Sequence, residues 1–512
     1  MIETFLALYV LCMLGMLAYS LLQLHLTFIH RRLRKARGSV PVASAPDEWP
    51  LVTVQLPIYN ERYVATRLLE CVGKLDYPSD LFEIHVLDDS TDDTPELVAP
   101  KLAELAARGL RVAHVRRAGR SGYKAGALRD ALPRAAGEFI AIFDADFCPA
   151  PDVLRKALPW FRDPRVAAVQ LRWGFLNEGY SLLTRLQAFV LRVHFFVEQP
   201  ARRARDLFAN FNGSGGLWRR AAIDDAGGWR ADTITEDLDL SYRAQFKGWR
   251  IEFLEHAPCD SELPVDMDGF RSQQFRWMKG GAQNARLHLG RVLKSRLPLL
   301  VKLHACGHLL ASSFYLLVLA TVLLSVPLAA VGNAATVAYT TRYAVAFLLA
   351  IPVAAALMYE AQDRPYTTAR FFAMVCGWFV FSLGMCLHSA SAAFHGWLGG
   401  GGEFVRTPKY GIVGARGDWS KSSYVHHKLP TAAWLEVGLM IFVSIGLLAG
   451  WVRRNFAFYP VQVMTLIGLV WVFGLSLFHS QKAQGRRLTG AGARAAPEAE
   501  PAQSRWSSPR RP

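Results

Sequence analysis

Cysteine is scarce and scattered in this chain. The seven cysteines, at 12, 71, 148, 259, 306, 376 and 386 of 512 residues, form no Cys-x-x-Cys or other paired spacing, which suits a reducing compartment and gives no disulfide framework. A phosphate loop is missing too: Arg120-Ser-Gly-Tyr-Lys-Ala-Gly126 is punctuated by glycine but lacks the Gly-Lys-Ser/Thr ending, which disfavours ATP hydrolysis. The glycines of Phe211-Asn-Gly-Ser-Gly-Gly216 are no dinucleotide fingerprint and mark either a close backbone approach or a tight turn. Charge is sparse at 20%, and the excess of +16 clusters beside apolar runs rather than along a soluble face. Membrane orientation explains that excess better than nucleic acid, so no nucleic-acid partner is expected. Residues 2–29 are apolar, yet they carry no positive charge ahead of them and no cleavage site after them. They read as a membrane anchor rather than a secretory signal, with the basic run His30–Arg37 on the cytoplasmic side.

What is abundant is apolar sequence, 52% of the chain and unevenly placed. Apolar runs near 303–328, 340–359, 432–451 and 457–479 are long enough to cross a bilayer, which with the anchor makes five spans. The run 368–392 is assigned to the cytoplasmic interface, because a sixth crossing would put the basic segment 400–430 and the basic tail outside; a sixth span is the alternative. The domains read as 1–29 anchor, 30–49 basic linker, 50–265 α/β domain, 266–299 amphipathic interface helices, 300–479 membrane region and 480–512 disordered basic tail, which can touch anionic lipid. The expected place is the cell's inner or plasma membrane, with the α/β domain and C-terminus cytoplasmic.

Between the anchor and the later spans, short apolar runs alternate with helical patterns. Strands are expected at Leu51–Leu56, Phe82–Leu87, Leu110–Val115, Phe139–Phe143 and Val166–Leu171, with helices over 61–73, 92–108, 123–135 and 151–162. That alternation predicts an α/β domain with a mostly parallel sheet. Polar clusters follow three strands: Pro57-Ile-Tyr-Asn-Glu61, Asp88-Asp-Ser-Thr-Asp-Asp93, and Asp144 with Asp146. Ligands bind at that edge of open α/β sheets, and two carboxylates one residue apart suit Mg²⁺ or Mn²⁺ shared with a diphosphate. Thr91 or Asp92 also reads as a helix N-cap, leaving Asp88 and Asp89 for a ligand, and Lys124 is placed to face a phosphate. Thr233–Tyr242 reads as a helix start with acids in its first turn, and Gln273-Gln-Phe-Arg-Trp277 lies in an amphipathic segment. His304 and His308, four apart, have zinc-ligand spacing but enter a membrane helix, where packing roles predominate.

Taken in order, Asp88-Asp89, Asp144-x-Asp146, Thr235-Glu-Asp237 and Gln273-x-x-Arg-Trp277 after a membrane anchor resemble the processive family 2 glycosyltransferases, which include cellulose, chitin and hyaluronan synthases. The segments Gln55–Glu61, Val86–Asp92, Gly122–Leu128, Phe139–Phe147 and Phe211-Asn-Gly-Ser are similar to the cellulose synthase-like A and C branches, which make mannan or glucomannan and the xyloglucan backbone. The resemblance implies a GT-A type nucleotide-sugar-binding domain set between transmembrane helices, and inverting transfer of hexose from UDP-glucose or GDP-mannose to a growing β-1,4-glycan. It implies Asp237 as base, Asp144 and Asp146 as metal ligands, and Tyr59, Glu61, Asp88, Asp89, Lys124, Asp144, Gln273 and Arg276 around the donor. Trp277 would stack on the acceptor. Phe404-Val-Arg-Thr-Pro-Lys409 resembles the Phe-x-Val-Thr-x-Lys gating loop, from which Thr407 and Lys409 carry over, while Arg406 stands in place of the usual Val. The rival expectations are transfer of one sugar to a membrane lipid, giving a glycolipid, and a catalytically silent nucleotide-binding conduit or sensor. With five spans, export would call for a partner chain or a second copy.

Overall fold

In the computed structural model of the chain, residues 2–36, 48–331, 353–362, 366–399, 405–424 and 432–488 are described. Eight strands form one sheet: β1 (Val52–Ile58), β2 (Phe82–Asp88), β3 (Arg111–Arg116), β4 (Phe139–Ile142), β5 (Cys148–Pro149), β6 (Val166–Phe175), β7 (Gly216–Arg219) and β8 (Arg250–Ser261), in the order β3-β2-β1-β4-β7-β6-β8-β5. The five expected strands are present within a few residues. β1 runs parallel to β2 and β4, and β2 to β3, as strand and helix alternation predicts. The sheet as a whole is mixed, however, because β7 is antiparallel to both β4 and β6, and β5 is antiparallel to β8. β7 is four residues long and starts at the last glycine of the cluster, and β8 interrupts its apolar residues with Glu252, Glu255 and His256, so neither carries a clear strand pattern.

The expected helices appear as Ala65–Val72, Thr94–Ala107, Tyr123–Ala131 and Val153–Ala157, the last two continuing as 3₁₀ turns. Alternation of side chains along the strands divides the core between the two faces. Val54, Leu56, Ala141 and Phe143 pack with Leu68, Leu69 and Val98 on one side; Ile140 and Ile142 pack with Leu128 and Trp218 on the other. A disulfide joins Cys71 to Cys148, against the expectation of none. The two cysteines lie 77 residues apart in sequence, and only the packing of helix Ala65–Val72 beside β5 brings their Cα atoms to 5.4 Å.

Among the described residues, four helices are long and apolar enough to cross a membrane, Ile2–Lys35, Phe314–Val331, Ala433–Arg453 and Tyr459–Ala483, as suits a membrane protein. Most of the apolar run 340–359 lies outside the described residues. The run expected at the interface is a pair of helices, Thr368–Gly384 and Cys386–Leu398, bent by 56°. Its first half meets Tyr459–Leu488 so closely that a Cβ on Gly384 would stand 2.2 Å from the carbonyl oxygen of Gly468. Its second half lies on the long helix Met267–Lys294.

That long helix is tied to the helix Ala432–Arg453 by a buried ion pair. Arg271 donates Nη1 to Glu436 Oε1 at 2.6 Å and Nη2 to Glu436 Oε2 at 2.8 Å, with a further bond to Ser476 Oγ at 3.2 Å. Removing one partner leaves a buried charge uncompensated, so Glu436→Ala should cost about 3–5 kcal/mol. Thermal unfolding in detergent checks this: the midpoint should fall for Glu436→Ala and largely recover in Arg271→Met/Glu436→Leu.

Candidate active site

The C-terminal ends of β2, β1 and β4 lie side by side, with Ile58 opposite Asp88, so the polar clusters after these strands share one edge of the sheet. They form one wall of a cleft lined by Tyr59, Glu61, Asp89, Lys124, Asp144 and Asp146. The facing wall carries Asp237 from the first turn of helix Glu236–Gln245, and Gln273, Arg276 and Trp277 from helix Met267–Lys294. Arg406, Thr407 and Lys409 close the cleft from the strap 405–424.

Of the residues expected around a donor, Asp88 is not brought to this cleft. β2 runs one residue further than predicted, and successive strand residues point to opposite faces. Asp88 is therefore buried at 1% exposure, where Oδ2 contacts His114 Nε2 at 2.9 Å and Oδ1 accepts Ser90 N–H at 2.9 Å. Asp89 reaches the cleft and holds Arg117 in a two-point grip. The expected N-cap is also displaced: Asp93 occupies the cap position, while Asp92 Oδ1 accepts the Thr94 N–H.

Opposite charges are paired throughout the cleft. Lys124, at the start of helix Tyr123–Ala131, donates to Asp144 Oδ1 at 2.5 Å and to the Gly213 carbonyl at 2.8 Å. Burial works against the Lys124 ammonium, but Asp144, Glu236 and Asp237 hold its pKa above the ordinary lysine value. Lys409 donates to Asp146 Oδ2 at 2.8 Å and to the Glu262 carbonyl at 2.9 Å. Arg276 Nη2 donates to Thr407 Oγ1 at 2.7 Å, and Arg406 stands 3.3 Å from Glu61 and 3.9 Å above the Tyr424 ring. Burial pushes Glu61 up to about 8, against the pull of Arg406. The Arg120 guanidinium stacks 3.3 Å over the Tyr59 ring.

Asp237 is held with little freedom. Its Oδ1 accepts the Leu238 N–H at 2.9 Å, and a Cβ on Gly213 would meet its Oδ2 at 3.0 Å. Gly213 has φ +77°, so this is the close backbone approach that the glycine cluster allows. Burial, and then the Glu236 carboxylate beside it, push Asp237 up to about 7 although Lys124 opposes the rise. A carboxylate poised there suits a general base near neutral pH. Asp144 and Asp146 are two hard oxygen donors, and among the described residues no group of three or more metal-ligating side chains occurs. Such a pair fits a Mg²⁺ or Mn²⁺ ion that completes its shell with phosphate oxygens and water, since Mg²⁺ is usually bound through one or two carboxylates plus substrate. The zinc spacing at 304 and 308 does not converge: His304 meets His25, and His308 meets the Tyr242 hydroxyl.

The motifs left several cleft residues unmarked. Glu262 accepts the N–H groups of Tyr410 and Ile412 from the strap and faces Arg67 at 3.3 Å, but as a single Glu ending a strand it carries no pattern. Tyr424 donates its hydroxyl to Asp92, and Trp419 packs with Val265 and Ile412, which fixes the C-terminal half of the strap. Phe404 of the gating-loop motif lies outside the described residues.

The family described as "Glycosyltransferase like family 2" matches residues 50–280. Among curated proteins, the chain is 35% identical over 381 residues to a probable glucomannan 4-beta-mannosyltransferase 11 of Arabidopsis thaliana, covering 71% of this chain and 82% of that one. It is 34% identical to glucomannan 4-beta-mannosyltransferase 1 of Oryza sativa subsp. japonica, covering 73% and 72%. To glucomannan 4-beta-mannosyltransferase 2 of Arabidopsis thaliana it is 42% identical over 48% of this chain and 47% of the relative, so it spans about half the length of that relative. Among solved structures, the mannosyltransferase PcManGT from Pyrobaculum calidifontis, in complex with GDP-Man and Mn²⁺, matches with TM-score 0.53 and 24% identity over 76% of this chain and 99% of that one, a likeness of the GT-A fold. By these relatives the chain belongs to the family 2 glycosyltransferases, in the glucomannan mannosyltransferase (cellulose synthase-like A) branch.

Proposed function

We propose that the protein is an inverting hexosyltransferase that elongates a β-1,4-linked mannan or glucomannan from GDP-mannose, with UDP-glucose as the alternative donor. The observation that carries this is the convergence of Asp237, Asp144, Asp146, Lys124 and Arg276 on one cleft. The names of the relatives support mannose as the sugar and a 4-β linkage.

In this reading Asp237 takes the proton of the acceptor hydroxyl as its oxygen bonds to the anomeric carbon and the bond to the nucleoside diphosphate breaks. Asp144 and Asp146 would hold Mg²⁺ or Mn²⁺, which when bound supplies positive charge to the diphosphate. Lys124 and Arg276, with Gln273 beside them in the cleft, add hydrogen bonds and positive charge to the leaving group. Tyr59, Glu61 and Asp89 line the donor side, Arg120 over Tyr59 forming the edge of a slot for a flat base. Thr407 and Lys409 cover the donor and exclude water, limiting wasteful hydrolysis. The basic residues Arg31, Arg32, Arg34 and Lys35 at the end of the N-terminal helix support a cytoplasmic catalytic domain, with the growing chain leaving through the membrane.

Purified detergent-solubilised protein given Mg²⁺ or Mn²⁺ and a panel of GDP- and UDP-sugars tests this reading. Release of GDP from GDP-mannose together with a product longer than one sugar is the expected result. A lipid-linked monosaccharide as sole product would replace the polymer reading, and binding without release from any donor would point to a conduit or sensor.

A further inference from the structure

The disulfide between Cys71 and Cys148 stands behind the cleft without lining it. Cys148 follows Asp146 by two residues and begins β5, an edge strand only two residues long, in which Cys148 lies opposite Asp260 and Pro149 opposite Cys259 of β8. Proline has no N–H to give to a ladder, so β5 alone fastens the turn that carries Asp144 and Asp146 weakly. The sulfur bridge is a further fastening. It joins that turn to helix Ala65–Val72, where Cys71 lies one helical turn beyond Arg67 on the same face.

The same helix reaches the cleft at two points. Its start rests on Glu61, whose carbonyl accepts the N–H groups of Val64 at 3.0 Å and Ala65 at 2.9 Å. Arg67 Nη2 donates to the Asp146 carbonyl at 3.4 Å and to Glu262 Oε2 at 3.3 Å. The bridge and Arg67 therefore both tie the Asp146 turn to this helix, and the helix ties it to Glu61 on the donor side. The loop that the bridge closes, residues 71 to 148, contains Asp89, Lys124, Asp144 and Asp146, so opening it relaxes the segment that supplies most of one wall of the cleft. Both bridged cysteines keep part of their surface at solvent, whereas the neighbouring Cys259 has none. That leaves the pair open to exchange with a small thiol.

We propose that Cys71 and Cys148 form a reversible oxidation site that governs the metal turn: the bridged form holds Asp144 and Asp146 in place for the divalent ion, and the dithiol form loosens them. The proposal rests on the cytoplasmic glycosyltransferase reading, because disulfides in cytosolic proteins are mostly transient and redox-sensing. The co-reactant is a low-molecular-weight thiol. Its thiolate attacks one sulfur of the bridge, the bond between the two protein sulfurs breaks, and a mixed disulfide forms. A second thiol then displaces the protein sulfur, so the protein pair gains two electrons and two protons while the two small thiols are joined as a disulfide. The reverse exchange with that small disulfide restores the bridge.

The experiment compares wild-type protein in detergent after dithiothreitol and after oxidised glutathione, each removed before measurement. Alkylation under denaturing conditions should label five cysteines in the oxidised form and all seven in the reduced form. Calorimetric Mn²⁺ affinity should be about tenfold weaker in the reduced form, as when a residue supporting a metal ligand is lost, and GDP release from GDP-mannose should fall with it. Both should return on reoxidation, which separates loosening from unfolding. Cys71→Ser should bind Mn²⁺ like the reduced form after either treatment. Seven labelled cysteines after oxidised glutathione, equal Mn²⁺ affinity in the two forms, or a Cys71→Ser protein that still responds to dithiothreitol overturns the proposal. Mn²⁺ affinity that follows the bridge while neither form turns over any donor supports the redox site and overturns the glycosyltransferase reading instead.

Discussion

Asp237→Asn should lower transfer by about 10³-fold while leaving donor affinity within about threefold, because the substitution keeps the side chain's shape and removes only its ability to take a proton. The pH dependence gives a second signature. With Asp237 pushed up to about 7, the active deprotonated form is lost below that value, so wild-type kcat/KM should rise about tenfold per pH unit on the acid side and level off above neutrality. This limb should vanish in Asp237→Asn. Stability moves the other way. A carboxyl whose folded-state pKa is raised resists ionisation, so it destabilises the fold as pH rises from the ordinary aspartate range through about 7. The Asn variant should therefore unfold at a higher temperature than wild type at pH 8, with the difference closing toward pH 4. Steady-state rates and thermal scans across that range check both signs, and a variant that gained stability without losing transfer would remove Asp237 from the chemistry.

The second large effect is expected at Asp144. This carboxylate faces Lys124 at 2.5 Å and begins the turn that carries Asp146. Asp144→Asn should weaken Mn²⁺ binding by at least about tenfold and lower transfer by about 10²-fold or more, since neutralising a leaving diphosphate is worth several kcal/mol. Titration calorimetry with Mn²⁺ alone reads the first effect without reference to activity. Chelation of divalent ions should abolish wild-type transfer and addition of Mn²⁺ should restore it. Transfer that survives chelation would mean that Lys124, Arg276 and Lys409 suffice to neutralise the diphosphate.

The placement of the cleft residues was readable from sequence because each part of that sheet edge is local. A buried strand must be a short apolar run, and the residues after it must turn; Asp144, Asp146, Tyr59, Glu61 and Asp89 all sit where those two rules place them. The Asp88-Asp89 doublet shows the limit of such reading. One further residue of β2 turns Asp88 away to His114 while Asp89 keeps the cleft, and a doublet alone does not say which acid points where. Long-range pairings were hidden for a different reason. Cys71 and Cys148, Arg271 and Glu436, and Glu262 with the strap each join segments from 77 to 165 residues apart, which only the sheet order and the helix crossings bring together. In the membrane half, apolar length identified the four long helices, but the 56° bend after Gly384 depends on how Thr368–Gly384 meets Gly468 and how Cys386–Leu398 meets the interface helix.

The proposed reaction is a single displacement at the anomeric carbon, with Asp237 as base and no carboxylate as nucleophile. The most direct test is the configuration of the first bond formed. Protein supplied with GDP-α-mannose and a short β-1,4-mannan primer should give, by proton NMR of the purified product, new mannosyl residues joined in β linkage only. An α-linked product, formed by double displacement, would rule out inversion by Asp237.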